Sequence, residues 1–346
     1  MILDLRKYNL TKEIRLNKSS KDTLQSVTRP LEFCGILCHT ISMINKHLEH
    51  PEDSILNQGR EGALSILNFL KDQSSDLSVK YDGAPAIVWG INPENNKFFV
   101  GTKSVFNKVK VKINYNHYDI EVHHGHTPNV ASILHLCYEK LPRVKGVYQG
   151  DFIGFGGGSV YTPNTITYSF NDNVEEDMVF ASHTSYHGDT MKDMVAEFNY
   201  KDAVAEEVKF LSTDAKIIHR DIKLDLLISL AQTAVRFVKF PDKKEGEVIK
   251  TIVNKFIREQ RELNPHDLAK ETGFHANLFY LYNFVREIKL ILMVGIETFE
   301  DVQCYIGDTE CSHEGYVMSN KYGTYKLVNR KQFSYANFTI KQEWKR

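Results

Sequence analysis

Residues 191–308 carry apolar side chains at helical spacing, yet the segments on either side are patterned as strands. Leu224, Leu227, Ile228, Ala231, Val235 and Val238 fall on one helical face. Val248, Ile249, Ile252, Val253, Phe256 and Ile257 repeat the pattern, as do Leu278, Leu281, Tyr282, Val285, Ile288 and Leu292. Over 76–190 the runs LSVKYDG, PAIVWGI, KFFVGTK, VKVKINY, GVYQGDFIG, TITYSF and MVFASHTSY are short and rich in Val, Ile, Phe and Tyr. Turn residues such as NPENN and GFGGGS separate them, which predicts antiparallel or mixed β structure with one helix near Asn129–Lys140. Strand patterning returns at EGYVMSN and GTYKLVN. A β region interrupted by helices is an α+β architecture with an insertion. Three units are expected: a mixed, then helical segment 1–75, with helices around Glu32–His47 and Gly62–Lys71; a β-rich domain of 76–190 plus 309–346; and the helical insertion 191–308.

Charge limits the partners. The formal net charge of −1 gives no global positive field, so nucleic-acid binding would need a local basic strip. Cys34, Cys38, Cys137, Cys304 and Cys311 are odd in number with no CxxC pair, which reads as reduced thiols. The N-terminus lacks a signal-peptide apolar run, and the apolar stretch Leu290–Ile296 is too short to span a bilayer. A cytoplasmic protein without membrane contact is expected.

The sharpest chemical signal is Lys80-Tyr81-Asp82-Gly83 at a strand end. A lysine that attacks phosphorus must be neutral, and at an ordinary pKa of about 10.4 fewer than about one in a thousand is neutral at pH 7. Burial or a neighbouring cation is expected to lower that pKa. Asp82 projects to the same side of an extended chain, where it could hold a metal or the nucleotide, and Gly83 lets the chain turn. An exposed KxDG turn is the bland reading. In a strand, Lys108, Lys110 and Lys112 would share one face and Val109, Val111 and Ile113 the other. That face is either solvated or a phosphate-tracking contact, with Tyr115 and Tyr118 nearby for stacking. His219-Arg220-Asp221 imitates a kinase catalytic loop but lacks its partners and opens a periodic helix. VHHGH reads as a polar turn, and Gly156-Gly157-Gly158 as a hairpin connection.

The order of motifs adds to this. KYDG is followed by AIVWG, by FFVGTKS with Lys103, by GVYQGDFIG with Asp151, by MVFASH with Phe180 and His183, by Glu314-Gly315-Tyr316-Val317, and by Lys326 in TYKLVNRKQF. Over 76–340 the chain resembles the covalent nucleotidyltransferase superfamily of RNA and DNA ligases and capping enzymes. Within it, KYDGAPAIVWG, KFFVGTKSVFNK, GVYQGD, PNTITY and KLVNRKQFS are similar to ligase-like proteins of tailed phages.

The resemblance implies a ligase-type nucleotidyltransferase domain with ATP-grasp-like antiparallel sheets. It implies an ATP-dependent polynucleotide ligase in which Lys80 forms a lysyl–AMP. Asp82, Lys103, Phe180, His183 and Lys326 would then bind the nucleotide, with Phe180 or His183 stacking on the base. Asp151 and Glu314 would contact ribose or a Mg²⁺ or Mn²⁺ ion, and Lys108, Lys110 and Lys112 the nucleic acid. The partner would be a polynucleotide with 5′-phosphate and 3′-OH ends, in the host cytoplasm if phage-encoded. Three positions depart from the family pattern: Asp151 replaces Glu, Lys103 replaces Arg, and Val328 stands where a second lysine is usual, with Arg330 or Lys331 available to supply its charge. The short stretch after Lys326 leaves no room for a C-terminal OB domain. Transfer of GMP to RNA ends, or nucleic-acid binding without catalysis, are the alternatives.

Overall fold

The computed structural model describes residues 48–198, 203–299 and 302–333. The expected helix Glu32–His47 and the residues Cys34 and Cys38 lie outside them. The described chain is mixed α+β with mainly antiparallel sheets. A turn at Pro51–Asp53 leads into α1 (Ser54–Asn57) and α2 (Gly59–Lys71), then β1 (Asp76–Lys80).

Two sheets matter for the site. The larger contains β2 (Ala86–Ile91), β3 (Phe98–Gly101), β4 (Val147–Phe155), β7 (Met178–His187) and β8 (Val195–Phe198), in the order β3-β2-β4-β7-β8. A further strand, β9 (Val208–Phe210), runs parallel to β7. The smaller has the order β1-β14-β15, with β14 at Gly315–Asn320 and β15 at Gly323–Val328. A third sheet of β5 (Val160–Tyr161), β6 (Thr167–Ser169), β12 (Gln303–Ile306) and β13 (Thr309–Cys311), and a ribbon of β10 (Ala215–Ile217) with β11 (Ile296–Thr298), complete the β structure.

Alternation along the strands gives each main sheet a helix-covered back. Ile87, Trp89, Val100 and Phe180 pack with Ile120 of α3 (His117–His124) and with Leu134 and Cys137 of α4 (Pro128–Lys140). Leu77, Val79, Met318 and Leu327 of the smaller sheet pack with α2 and with α5 (Ile222–Ala234), α6 (Lys243–Arg258), α7 (Pro265–Thr272) and α8 (Ala276–Val294). Local signals fix these helices. Asp221, in the kinase-like string, caps α5 by accepting from the Lys223 backbone N–H. Asp242 and Glu245 form a reciprocal capping box on α6. Among the described residues, no helix is long and apolar enough to cross a membrane.

Three expectations need correction. VKVKINY is not a strand: residues 107–113 are bends and irregular chain, and Lys110 has φ +56°. Residues 195–217, expected to be helical, supply β8, β9 and β10 to the sheets. Val248, placed on the apolar face of its helix, is 60% exposed.

Where the helices meet the smaller sheet, the core contains charges. Lys289 of α8 is fully buried, and its Nζ donates to Glu52 Oε1 at 2.8 Å and to the Val328 carbonyl at 2.9 Å. Arg330 donates to Asp53 Oδ1 at 2.7 Å and to the Tyr282 hydroxyl at 2.9 Å. The Lys326 backbone N–H donates to the Glu49 carbonyl at 3.1 Å. The segment 49–53 is thus bound to β15 and the residues just after it.

Candidate active site

Lys80 ends β1, and Glu314 immediately precedes β14. The antiparallel register sets Lys80 opposite Gly315, which brings the Glu314 carboxylate to the Lys80 ammonium as an ion pair. Gly315 has φ +155°, and a Cβ there would lie 2.0 Å from the Leu327 carbonyl oxygen, so only glycine allows this crossing. The register also sets Ser78, Val317 and Lys326 in one row on the face that carries Lys80.

The larger sheet supplies the opposite wall. Gln149 and Asp151 come from β4, Ala181 and His183 from β7, and Lys103 from the turn that follows β3. His183 is the extra residue of a β-bulge, because Gln149 pairs with Thr184 while Gly150 pairs with Ser182. Bulges re-aim side chains, and this one leaves His183 Nε2 3.6 Å from Asp151 Oδ2. Together these residues line a cavity of about 290 Å³ with Leu48, Tyr81, Phe198, Thr213 and Glu314. Five sequence-predicted residues therefore meet Lys80 in one cleft: Lys103, Asp151, His183, Glu314 and Lys326.

The electrostatics reverse one expectation. Burial acts to lower the Lys80 pKa, but the charge and hydrogen bond of Glu314, with Asp151 and Asp82 beyond, raise it above the ordinary value. Burial pushes the Glu314 carboxyl up against the opposing pull of Lys80. Lys326, in the same cleft, has a lowered pKa through burial and the charge of Lys80. Beside them, His50 is kept well below 6.5 by burial and by Arg330, Lys326, Lys289 and Lys80, so its ring is neutral.

Four groups of expected site residues are placed elsewhere. Both Asp82 oxygens are occupied within the chain: Oδ1 accepts from Asn164 Nδ2 at 2.8 Å, and Oδ2 from the Thr165 and Ile166 backbone at 2.8 and 3.2 Å. Asp82 thereby ties the PNTI loop to the lysine motif. Phe180 is fully buried on the back of the sheet, edge-on to Trp89 at 5.4 Å, and does not face the cleft. Its replacement by Ala should cost about 3–5 kcal/mol in a denaturant titration and leave nucleotide affinity unchanged. Lys108 and Lys110 are exposed on the irregular segment, while Lys112 Nζ donates to the His123 carbonyl at 2.9 Å, so no lysine ladder forms. Arg330 turns into the buried charge cluster and does not line the cleft in place of Val328.

Gly83 serves close approach: a Cβ there would be 2.6 Å from the Asp151 Cβ. Sequence reasoning missed Gln149, Tyr186, Thr213 and the 48–53 segment. The GVYQGD run already contained Gln149, two residues before Asp151 and so on the same strand face.

Asp151 and Glu314 present hard carboxylate oxygens on opposite walls. That donor set fits a Mg²⁺ or Mn²⁺ ion which completes its shell with water and substrate phosphate. Among the described residues, no three His, Cys, Asp or Glu side chains form a metal cage of their own. No curated protein and no solved structure matches the chain. One family does, over residues 45–272 and 266–342, and it is described as a family of unknown function; the chain belongs to this family, DUF6267.

Proposed function

We propose that this protein is an ATP-dependent polynucleotide ligase with a ligase-type nucleotidyltransferase fold, acting through a covalent lysyl–AMP on Lys80. The observation that carries this reading is the convergence of Lys80, Lys103, Asp151, His183, Glu314 and Lys326, from six separate segments, on one cleft between two mainly antiparallel sheets. A lysine in contact with a carboxylate and facing two further lysines fits phosphoryl chemistry, in which positioning and charge stabilisation supply most of the catalysis.

In the first step the Lys80 Nζ–Pα bond forms and the Pα–O bond to pyrophosphate breaks. One proton leaves Lys80 before attack and a second as the bond forms. Glu314 is the acceptor in contact with that nitrogen. Lys326 and Lys103 offset the charge that builds on the phosphate oxygens. Asp151 and Glu314 would hold a divalent cation, which would supply further positive charge at the same place. In the second step a 5′-phosphate oxygen attacks Pα, the N–P bond breaks and Lys80 regains its protons. In the third, a 3′-OH attacks the activated 5′-phosphate and AMP leaves.

The test is incubation with α-³²P-labelled ATP, and separately GTP, with Mg²⁺, followed by a denaturing gel. A labelled band with ATP supports the reading. Label from GTP alone assigns GMP transfer, and no label from either leaves a protein that binds without reacting. The raised Lys80 pKa adds a pH signature. Because the neutral form is scarce at pH 7, the adduct rate should rise about tenfold per pH unit between roughly pH 6 and 9. Glu314→Gln removes the anion that raises it, so the rise should level off at a lower pH. A flat profile for the unaltered chain in single-turnover assays would refute this assignment of the proton.

A further inference from the structure

Gln149 is 4% exposed, yet it lines the cleft. Its amide oxygen accepts a hydrogen bond from the Tyr186 hydroxyl at 2.7 Å. Tyr186 stands in an apolar cluster with Val88, Phe99 and Met194, and burial, with Asp151 nearby, pushes its pKa up, so the hydroxyl remains a donor. This bond fixes the amide with its oxygen toward Tyr186. The NH₂ end meets no partner among the described residues. An amide donor held in this way at the wall of a cleft is available to a ligand or water acceptor.

Two residues along β4, Asp151 shares the strand face and also lines the cleft. His183 Nε2 lies 3.6 Å from its Oδ2, beyond hydrogen-bond distance. A fixed donor beside a carboxylate matches a group that both accepts and donates a hydrogen bond. Phosphate oxygens only accept, and the Asp151 carboxylate repels them. A hydroxyl does both. A carboxylate has about four acceptor sites, so Asp151 serves a hydroxyl and a cation together.

We propose that Gln149, oriented by Tyr186, donates to a ribose hydroxyl whose proton is shared with Asp151, and that this pair selects ribonucleotides over deoxyribonucleotides. The inference rests on the nucleotide-binding part of the function proposed above and not on its covalent step.

Titration calorimetry with AMP, 2′-deoxyAMP, 3′-deoxyAMP and GMP tests it, since none of these can form the adduct. The unaltered chain should bind AMP about tenfold more tightly than at least one deoxy analogue. Gln149→Leu should bring AMP down to that analogue's affinity and leave the analogue unchanged. Tyr186→Phe keeps the ring packing, removes only the orienting hydroxyl, and should narrow the ratio. Equal weakening of all ligands by Gln149→Leu, no deoxy discrimination in the unaltered chain, or a changed AMP:GMP ratio in place of a changed sugar ratio would overturn the proposal. Failure of any nucleotide to bind overturns it together with the nucleotide reading. Sugar discrimination without a labelled adduct from ATP supports it and sinks the covalent chemistry alone.

Discussion

Lys80→Arg is expected to abolish adduct formation, a loss of at least about a thousandfold, while leaving the fold and its melting temperature nearly unchanged. The guanidinium keeps the positive charge that Glu314 pairs with, so the half-buried carboxylate is not left alone. It does not deprotonate near neutral pH and therefore offers no nucleophile. Lys80→Ala removes both functions and is the weaker control, because it strands Glu314. Labelled ATP on a denaturing gel, read beside a thermal melt, separates the two effects. Retained label in Lys80→Arg would move the nucleophile elsewhere, with Lys326 the first to examine because it lines the same cleft and its pKa is lowered.

A second large effect is expected far from any substrate. Glu52→Ala should destabilise the protein by about 3–5 kcal/mol, because it leaves the fully buried Lys289 ammonium without its carboxylate. Burial already lowers the Lys289 pKa, and removing Glu52 takes away the main opposing effect. In that variant the unfolded chain binds the Lys289 proton more tightly than the folded one, so stability should rise as pH rises toward the ordinary lysine pKa. The double variant Glu52→Leu with Lys289→Met should recover most of the loss, since apolar replacements of a buried pair are often neutral or stabilising. Denaturant titrations at pH 7 and pH 9 measure both. A Glu52→Ala loss below about 1 kcal/mol would mean that water reaches the cluster.

These two residues also mark what was legible in the sequence. Lys80, Asp151, Glu314 and Lys326 could be read because each lies in or beside a strand with a short local signature and a fixed order. Glu52 and Lys289 are 237 positions apart, and no local pattern announces their contact. The Gln149–Tyr186 pair was hidden for a related reason: it joins β4 to β7 across a register that the bulge at His183 displaces. Phe180 and His183 stood equal in sequence because a strand offers both faces, and only the packing of Trp89 decides between them. The basic segment misled through its period-two alternation. Lys110 takes a left-handed conformation, and Asn114 beyond it bridges back to β3, at Val100.

β15, which carries Lys326, is the outer strand of its sheet. Outer strands present unpaired N–H and C=O groups, which recruit strands of other molecules. Here the Glu49 carbonyl and the Lys289 ammonium occupy two of those positions, at Lys326 and Val328. Glu49 and Lys289 thus cover this part of the sheet edge. A chain trimmed to begin at residue 76 keeps every cleft lysine, but it loses Glu52 and the core helix α2 and uncovers the strand that presents Lys326.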